Sequence, residues 1–466
     1  MLFNSLEFAV FLIAVLIGHF WLIPRSAVRG RKIFLLAASY LFYASWNPFF
    51  SLLLAFSTGV DYSMGLALGG AASSARRRLY VSTSLVANLG LLGFYKYGFF
   101  VTEGAFALSG RTLAQGDLPW LEVALPVGIS FYTFQSLSYT LDVYRRVQAP
   151  TRSLLDFALY VSFFPQLVAG PIVRAKELLG QLAGPRTSTP EDFELGLARV
   201  ATGLVKKVLL ADTIGVFVDA VFLDPGAYGG VEVALAIYGF AFQIFFDFAG
   251  YCDIAIGVAR MLGVQLPENF DRPYRSLNVR EFWRRWHITL STWLRDYLYV
   301  SLGGNRKGAA RTLTNLFATM LLGGLWHGAG WGFVLWGAYH GVLLGIHRVW
   351  RGPNAAPPRL PAWLRVVVTF HLVCVGWILF RSPTLESAGE LVSRLGSTEF
   401  YGGLAFVQAA VALGIAAVVH VATGSRQLTD WLVARSAWLQ GVVYAAVAWA
   451  LYFMSGRTGE FIYFQF

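Results

Sequence analysis

Long apolar runs alternate with short polar connections along the whole chain. Runs of about bilayer-crossing length lie near residues 5–23, 33–50, 51–70, 79–101, 120–142, 154–173, 196–223, 231–263, 313–326, 331–347, 362–381, 403–422 and 433–454. Some are short or interrupted, as at Trp46-Asn47-Pro48 and Phe164-Pro165-Gln166. The pattern predicts an all-α polytopic membrane protein, with roughly ten to twelve full crossings plus re-entrant and amphipathic helices. No segment is long and polar enough for a separate soluble domain, so residues 1–466 read as one integral-membrane domain. The first apolar run follows no basic segment and precedes no small-residue cleavage site, and it reads as a retained span.

Charge orients these spans. Arg25, Arg29, Arg31 and Lys32 form one basic loop, Arg76, Arg77 and Arg78 a second, and Arg145, Arg146 and Arg152 a third. The intervening connection with Glu103, Arg111 and Asp117 is not basic. Basic loops stay on the cytoplasmic side, which places the N-terminus outside. Arg348, Arg351, Arg359 and Arg365 mark a further inner loop, and Glu386, Glu390, Arg394 and Glu399 an outer one. The count leaves the C-terminal residues 457–466 extracytoplasmic.

Composition supports the same class. The chain is 56% hydrophobic and 14% charged, and its mean hydropathy is +0.56. A net charge of +11 is accounted for by the inner loops, and no basic-aromatic stripe in a soluble module points to nucleic acid. The two cysteines, Cys252 and Cys374, sit in apolar runs without metal-type spacing, which argues against a disulfide or a bound metal. No nucleotide-binding loop, dinucleotide fingerprint, zinc-protease motif or serine-hydrolase elbow occurs.

One stretch breaks the apolar background with an imidazole: Gly323-Gly324-Leu325-Trp326-His327-Gly328-Ala329-Gly330-Trp331. An ionisable group inside a span is expensive and points to function; a histidine bonded between helices for packing is the alternative. The run 313–326 rises about 21 Å as a helix against about 30 Å of hydrocarbon, so with Arg306, Lys307 and Arg311 at the inner surface His327 is expected within the bilayer.

A second stretch runs from Arg280 to Tyr297. As one helix it carries a polar stripe of Arg280, Arg284, His287, Ser291 and Arg295, and an aromatic stripe of Phe282, Trp286, Trp293 and Tyr297. An interfacial anchor and the wall of an active site both fit this pattern. Ahead of it, Asp247 and Asp253 lie six residues apart in an apolar span and do not share a face. Either can pair with an arginine of the 272–285 cluster, and a buried ion pair holding helices together, a supporting role, is favoured over catalysis for both. His340 and His347 read as packing residues, and His19, His371 and His420 as satisfied core histidines.

The strings from Phe246 to Gly257, Leu266-Pro267-Glu268-Asn269-Phe270, Glu281-Phe282-Trp283-Arg284-Arg285-Trp286-His287, Leu302-Gly303-Gly304-Asn305-Arg306 and Gly324-Leu325-Trp326-His327-Gly328 resemble the membrane-bound O-acyltransferase superfamily, in its bacterial branch that includes the alginate O-acetylation membrane subunit. The N-terminal Met1-Leu2-Phe3-Asn4-Ser5 and the tail Phe461-Ile462-Tyr463-Phe464-Gln465-Phe466 resemble that branch too, so the likeness spans the chain. Cys252, where the branch carries Ser, is a small departure.

The resemblance implies helices around a central channel, with the catalytic core at about residues 120–350. It implies that His327 is the catalytic histidine and that His287 faces it across the channel. Trp326, Ser291, Arg284, Arg285, Asp247 and Asp253 are the candidate supporting or substrate-binding residues. An acyl-CoA donor, acetyl-CoA by expectation, would arrive from the cytoplasm, with no bound cofactor. The acceptor would be an extracytoplasmic polysaccharide or peptidoglycan, reached with an SGNH esterase-like partner. The tail resembles the tyrosine motif of the small helper protein of teichoic-acid D-alanylation, which implies that Tyr463 carries the acyl group; an interfacial aromatic belt is the other reading. A transporter of donor or product, without chemistry of its own, is the alternative function. It would be favoured by internal repeats, and none is evident.

Overall fold

A computed structural model describes residues 1–110, 118, 124–184, 188–351, 360–454 and 461–462. Arg111, Asp117 and Arg359 of the loop-charge count therefore lie outside the described residues. Every regular element among the described residues is helical, as the apolar periodicity predicts.

The chain forms two compact units, the first made of residues 1–197 and 255–267, the second of residues 198–254 and 268–466. The first unit begins with α1 (Leu6–Ile17), which Ser5 caps through its side chain and a π-helical turn, Gly18–Leu22, extends. It continues through α2 (Val28–Ala44), α3 (Pro48–Gly70), α4 (Ser74–Leu108), α5 (Ile129–Tyr144), α6 (Leu154–Ser162), α7 (Phe164–Leu167) and α8 (Ala175–Ala183). The predicted span 154–173 is not one helix. Phe163 leaves the helical region at φ −53°, ψ 107°, and the chain restarts as α7 with Pro165 in its first turn, where the missing N–H does no harm. Asp61 of α3 is fully buried and accepts from Ser84 and Asn88 of α4 and from Thr140 of α5, the latter two at 3.1 and 3.0 Å. That cluster joins three helices without a cation.

Next come α9 (Pro190–Leu204), a π-helical segment (Val205–Ala211) and α10 (Asp212–Leu223), continuous in the region expected as one span. They are followed by α11 (Gly230–Met261), α12 (Val279–Arg285), α13 (Ile288–Trp293), a second π-helical segment (Leu294–Tyr299), α14 (Gly308–His327), α15 (Trp331–Arg351), α16 (Ala362–Arg381), α17 (Leu385–Arg394), α18 (Leu404–Ala422), α19 (Ser425–Val433) and α20 (Ala437–Met454). The core of the second unit packs Phe240, Phe246, Tyr274, Phe282, Trp286, Trp336 and Trp377 with side chains of α10, α16 and α18.

Five helices, α3, α4, α11, α16 and α18, are long and apolar enough to cross a membrane, and shorter apolar helices lie at Leu6–Leu22 and Ala437–Phe453. α18 turns Val407, Val411, Ile415 and Val418 outward, each more than half exposed. An apolar face directed away from the core is what a lipid solvent permits. One expectation about depth changes. α14 starts at Gly308, five residues before the apolar run, and its 20 residues rise about 30 Å, so the short-helix argument for the depth of His327 fails.

Candidate functional site

His327 closes α14, and the backbone then leaves the helix at Gly328 (φ −162°, ψ 157°). α14 and α15 approach closely because Gly324 faces Gly337; a Cβ built on Gly324 would lie 3.0 Å from the Gly337 Cα. The contact brings Trp336 of α15 to the imidazole. His327 is buried, and its ring meets three others nearly edge-on: Trp326 at 5.0 Å between centroids, Trp336 at 5.1 Å and Phe380 of α16 at 5.3 Å.

His287 reaches the same neighbourhood by a turn. The predicted continuous helix from Arg280 to Tyr297 breaks at Trp286-His287, where His287 has φ +41°, ψ 56°. This conformation is strained for a residue with a Cβ and persists only where surrounding contacts hold it. The holder is Asn269. Its Oδ1 accepts from the Thr289 amide at 3.1 Å and the Thr289 hydroxyl at 2.9 Å, and stands 3.2 Å from His287 Nδ1. Its Nδ2 donates to Cys252 Sγ at 3.3 Å, and its backbone carbonyl accepts from Ile288 at 2.9 Å. An oxygen already accepting twice is matched by a donor, so Nδ1 of His287 carries the proton and Nε2 carries the lone pair.

Trp326 joins the two histidines. Its ring lies 6.0 Å from that of His287 and 5.0 Å from that of His327, so one indole is flanked by both imidazoles. The break in the helix also disposes of the polar stripe: His287 is buried, while Arg280, Arg284 and Arg295 are exposed. Ser291 is half-buried and donates to the Trp286 carbonyl at 3.1 Å. Of the aromatic stripe, Phe282, Trp286, Trp293 and Tyr297 are all buried, on four consecutive short pieces of chain and not on one face.

Both aspartates of α11 are ion-paired, though not with the 272–285 arginines. Asp253 binds Arg199 at 2.8 Å and Lys206 at 2.7 Å, and Arg199 also reaches Glu268. Asp247 binds Lys207 at 2.7 Å, and Lys207 binds Asp212 at 2.7 Å. Arg285 pairs instead with Glu281 at 2.9 Å and Asp271 at 3.4 Å. The partners come from α9 and the π-helical segment because its wider turn aims two successive lysines at carboxylates on α11. Lys206 and Lys207 stand in an apolar run, which was the signal available in the sequence. Asn269, within the Leu266–Phe270 string, had no such signal; its importance comes from the turn at His287.

The other histidines divide. His340 is fully buried, stacked on Phe282 and edge-on to Trp283 and Trp336, and neither ring nitrogen has a hydrogen-bond partner. His420 is a core histidine, as expected, but only half satisfied: its Nε2 accepts from the Tyr274 amide at 3.2 Å, while its buried Nδ1 has no hydrogen-bond partner. His371 is not a core residue: it is exposed, and bonds the Tyr238 hydroxyl and the Val367 carbonyl. Cys252 and Cys374 are both buried, and no group of metal-ligating side chains occurs among the described residues. Tyr463 lies outside the described residues, but Phe461 and Ile462 before it are buried in the second unit.

Residues 122–379 match the model of the MBOAT, membrane-bound O-acyltransferase, family. The chain is 44% identical over 400 residues to the probable alginate O-acetylase AlgI of Pseudomonas aeruginosa, covering 85% of this chain and 75% of that protein. It is 38% identical over 394 residues to a peptidoglycan O-acetyltransferase of Helicobacter pylori, covering 78% and 73% respectively. It is 30% identical over 276 residues to a teichoic acid D-alanyltransferase of Bacillus subtilis, covering 54% and 68%. The chain is a multi-pass membrane protein and belongs to the membrane-bound O-acyltransferase family, in its bacterial AlgI-like branch.

Proposed function

We propose that this protein moves an acyl group, acetyl in the first instance, from a cytoplasmic thioester such as acetyl-CoA to hydroxyls of an extracytoplasmic polysaccharide across a bacterial inner membrane. The observation that carries the reading is the pair of buried imidazoles on one indole, His287 and His327 about Trp326. His327 takes the proton of the acceptor hydroxyl as its oxygen attacks the thioester carbonyl carbon. The C–S bond then breaks, and the departing thiolate recovers the proton from the imidazolium. His287, with its tautomer set by Asn269, orients the acceptor through Nε2.

The names of the relatives, an alginate O-acetylase and a peptidoglycan O-acetyltransferase, support a polysaccharide acceptor. An esterase-like partner outside the membrane completes the transfer. In this reading the Tyr463 phenol is the first acceptor and hands the acyl group on. Burial of Phe461 and Ile462 near His287 supports it, since Phe461 packs on Phe248, whose ring lies 4.8 Å from that of His287.

The test is His327→Ala in membranes given labelled acyl-CoA. Acyl transfer should fall by about 10²–10⁴-fold or more while the protein still inserts and binds its partner. Undiminished transfer removes His327 from the chemistry, and silent His287→Ala and His327→Ala together would leave a scaffold or transporter. An ester on Tyr463 should be trapped by mass spectrometry in the absence of the partner; an unmodified tail during turnover sinks the relay.

A further inference from the structure

Asp247 has a contact that helix packing does not require. Lys207 occupies its Oδ1 at 2.7 Å, and its Oδ2 accepts the backbone N–H of Ile462, 215 residues further along the chain, also at 2.7 Å. The carboxylate and the ammonium are each almost wholly buried, and Asp212 holds Lys207 from the other side. Both partners are therefore fixed before the tail arrives. A buried ion pair serves helix packing no better than apolar side chains of the same volume, so its presence here points to the third group it binds.

Two aromatic contacts set the register. Phe461 stacks on Tyr251 at 4.4 Å and 29°, and packs against Phe248 at 5.6 Å and 63°. Tyr251 and Phe248 lie four and one residues beyond Asp247 on α11, so the carboxylate and both rings belong to one short stretch of helix. Ile462 is buried as part of the hydrophobic core of the second unit. On its far side Phe248 meets His287 at 4.8 Å and 90°. A single phenyl ring thus separates the seated tail from the second histidine.

We propose that Asp247, braced by Lys207, is the seat of the C-terminal segment: the carboxylate grips the main chain at Ile462, the Tyr251–Phe248 surface grips Phe461, and together they position Tyr463 for acylation. Asp247 is a positioning residue, since it touches the carrier segment and no reacting atom. Recognition is through a backbone N–H and so tolerates change at 462, whereas the ring at 461 sets the register of the segment. The consequence for Tyr463 rests on the relay reading above; the seat itself does not.

The experiment uses the full chain in proteoliposomes, with Ile462→Cys as reporter and N-ethylmaleimide as probe, each labelled peptide being assigned by mass spectrometry. Labelling at 462 should be slow, and about tenfold faster when Asp247→Ala is combined with Lys207→Met, because reactivity follows the population of the open tail. The native Cys252 and Cys374, both buried, stay unlabelled in folded protein. Equal rates at 462 with Cys252 and Cys374 protected overturn the seat. If the double variant unfolds and exposes them, Asp247→Asn decides instead. Its amide offers one oxygen to two donors, so labelling should rise about threefold, and an unchanged rate overturns the proposal. Acylation of Tyr463, read in the chain without the reporter, separates the two claims. A slower ester in the Asp247 variant supports positioning, and equal acylation in variant and parent overturns it. No ester in either, with 462 still protected in the parent, retires the relay and keeps the seat.

Discussion

Asp61 in the first unit and Asp253 in the second are both buried on long apolar helices, and they are satisfied by different chemistry. Asp61 meets hydroxyls and an amide from Ser84, Thr140 and Asn88. Asp253 meets a guanidinium and an ammonium, from Arg199 and Lys206. Neutral partners can join helices without placing further charge in the interior, and α3, α4 and α5 need nothing more. The charged set extends from Glu268 through Arg199, Asp253 and Lys206 to Ser425, and Lys207 beside it leads through Asp247 to the tail. This charged network lies in the second unit and the neutral cluster in the first.

Mutation can break that comparison. Asp253→Ala leaves two buried cations facing each other, and should cost about 3–5 kcal/mol, read as loss of thermal stability in detergent. Asp61→Ala strands only neutral donors, which should cost about 1–3 kcal/mol in the same measurement. A larger effect at Asp61 than at Asp253 would reverse the argument. Replacing Asp253 by Leu together with Arg199→Met and Lys206→Met should recover most of the loss, to within about 1 kcal/mol of the parent, because matched apolar groups pack as well as an ion pair. The smallest effect belongs to His340→Phe. Its ring nitrogens have no partner, so stability should move by less than about 1.5 kcal/mol and acyl transfer should persist. A collapse of transfer in that variant would give His340 a polar role.

How much of this was legible beforehand depends on the kind of signal. Helical class, the positions of most helices and the isolation of His327 followed from hydropathy, because lipid leaves the backbone few options and makes an imidazole conspicuous; of the thirteen apolar runs, five helices among the described residues are long and apolar enough to cross. The break at Phe163 was visible as Phe164-Pro165-Gln166. The stripe through Arg280–Tyr297 misled, since periodicity assumes a continuous helix and cannot register a residue held at positive φ by a distant asparagine. The aspartates were recognised as supporting groups, but with the wrong arginines. Nearness in sequence favoured 272–285, while the π-helical turn delivered Lys206 and Lys207.

The sequence by itself determined that this is a helical membrane protein of the O-acyltransferase family and that His287 and His327 are its conspicuous imidazoles. Composition and motif strings are local properties, and they survive without coordinates. Only the tertiary structure decided which groups meet: Trp326 between the histidines, Asn269 behind His287, and Ile462 on the Asp247 carboxylate. These contacts join residues 18 to 215 positions apart or depend on one turn of backbone, and no periodicity along the chain encodes either.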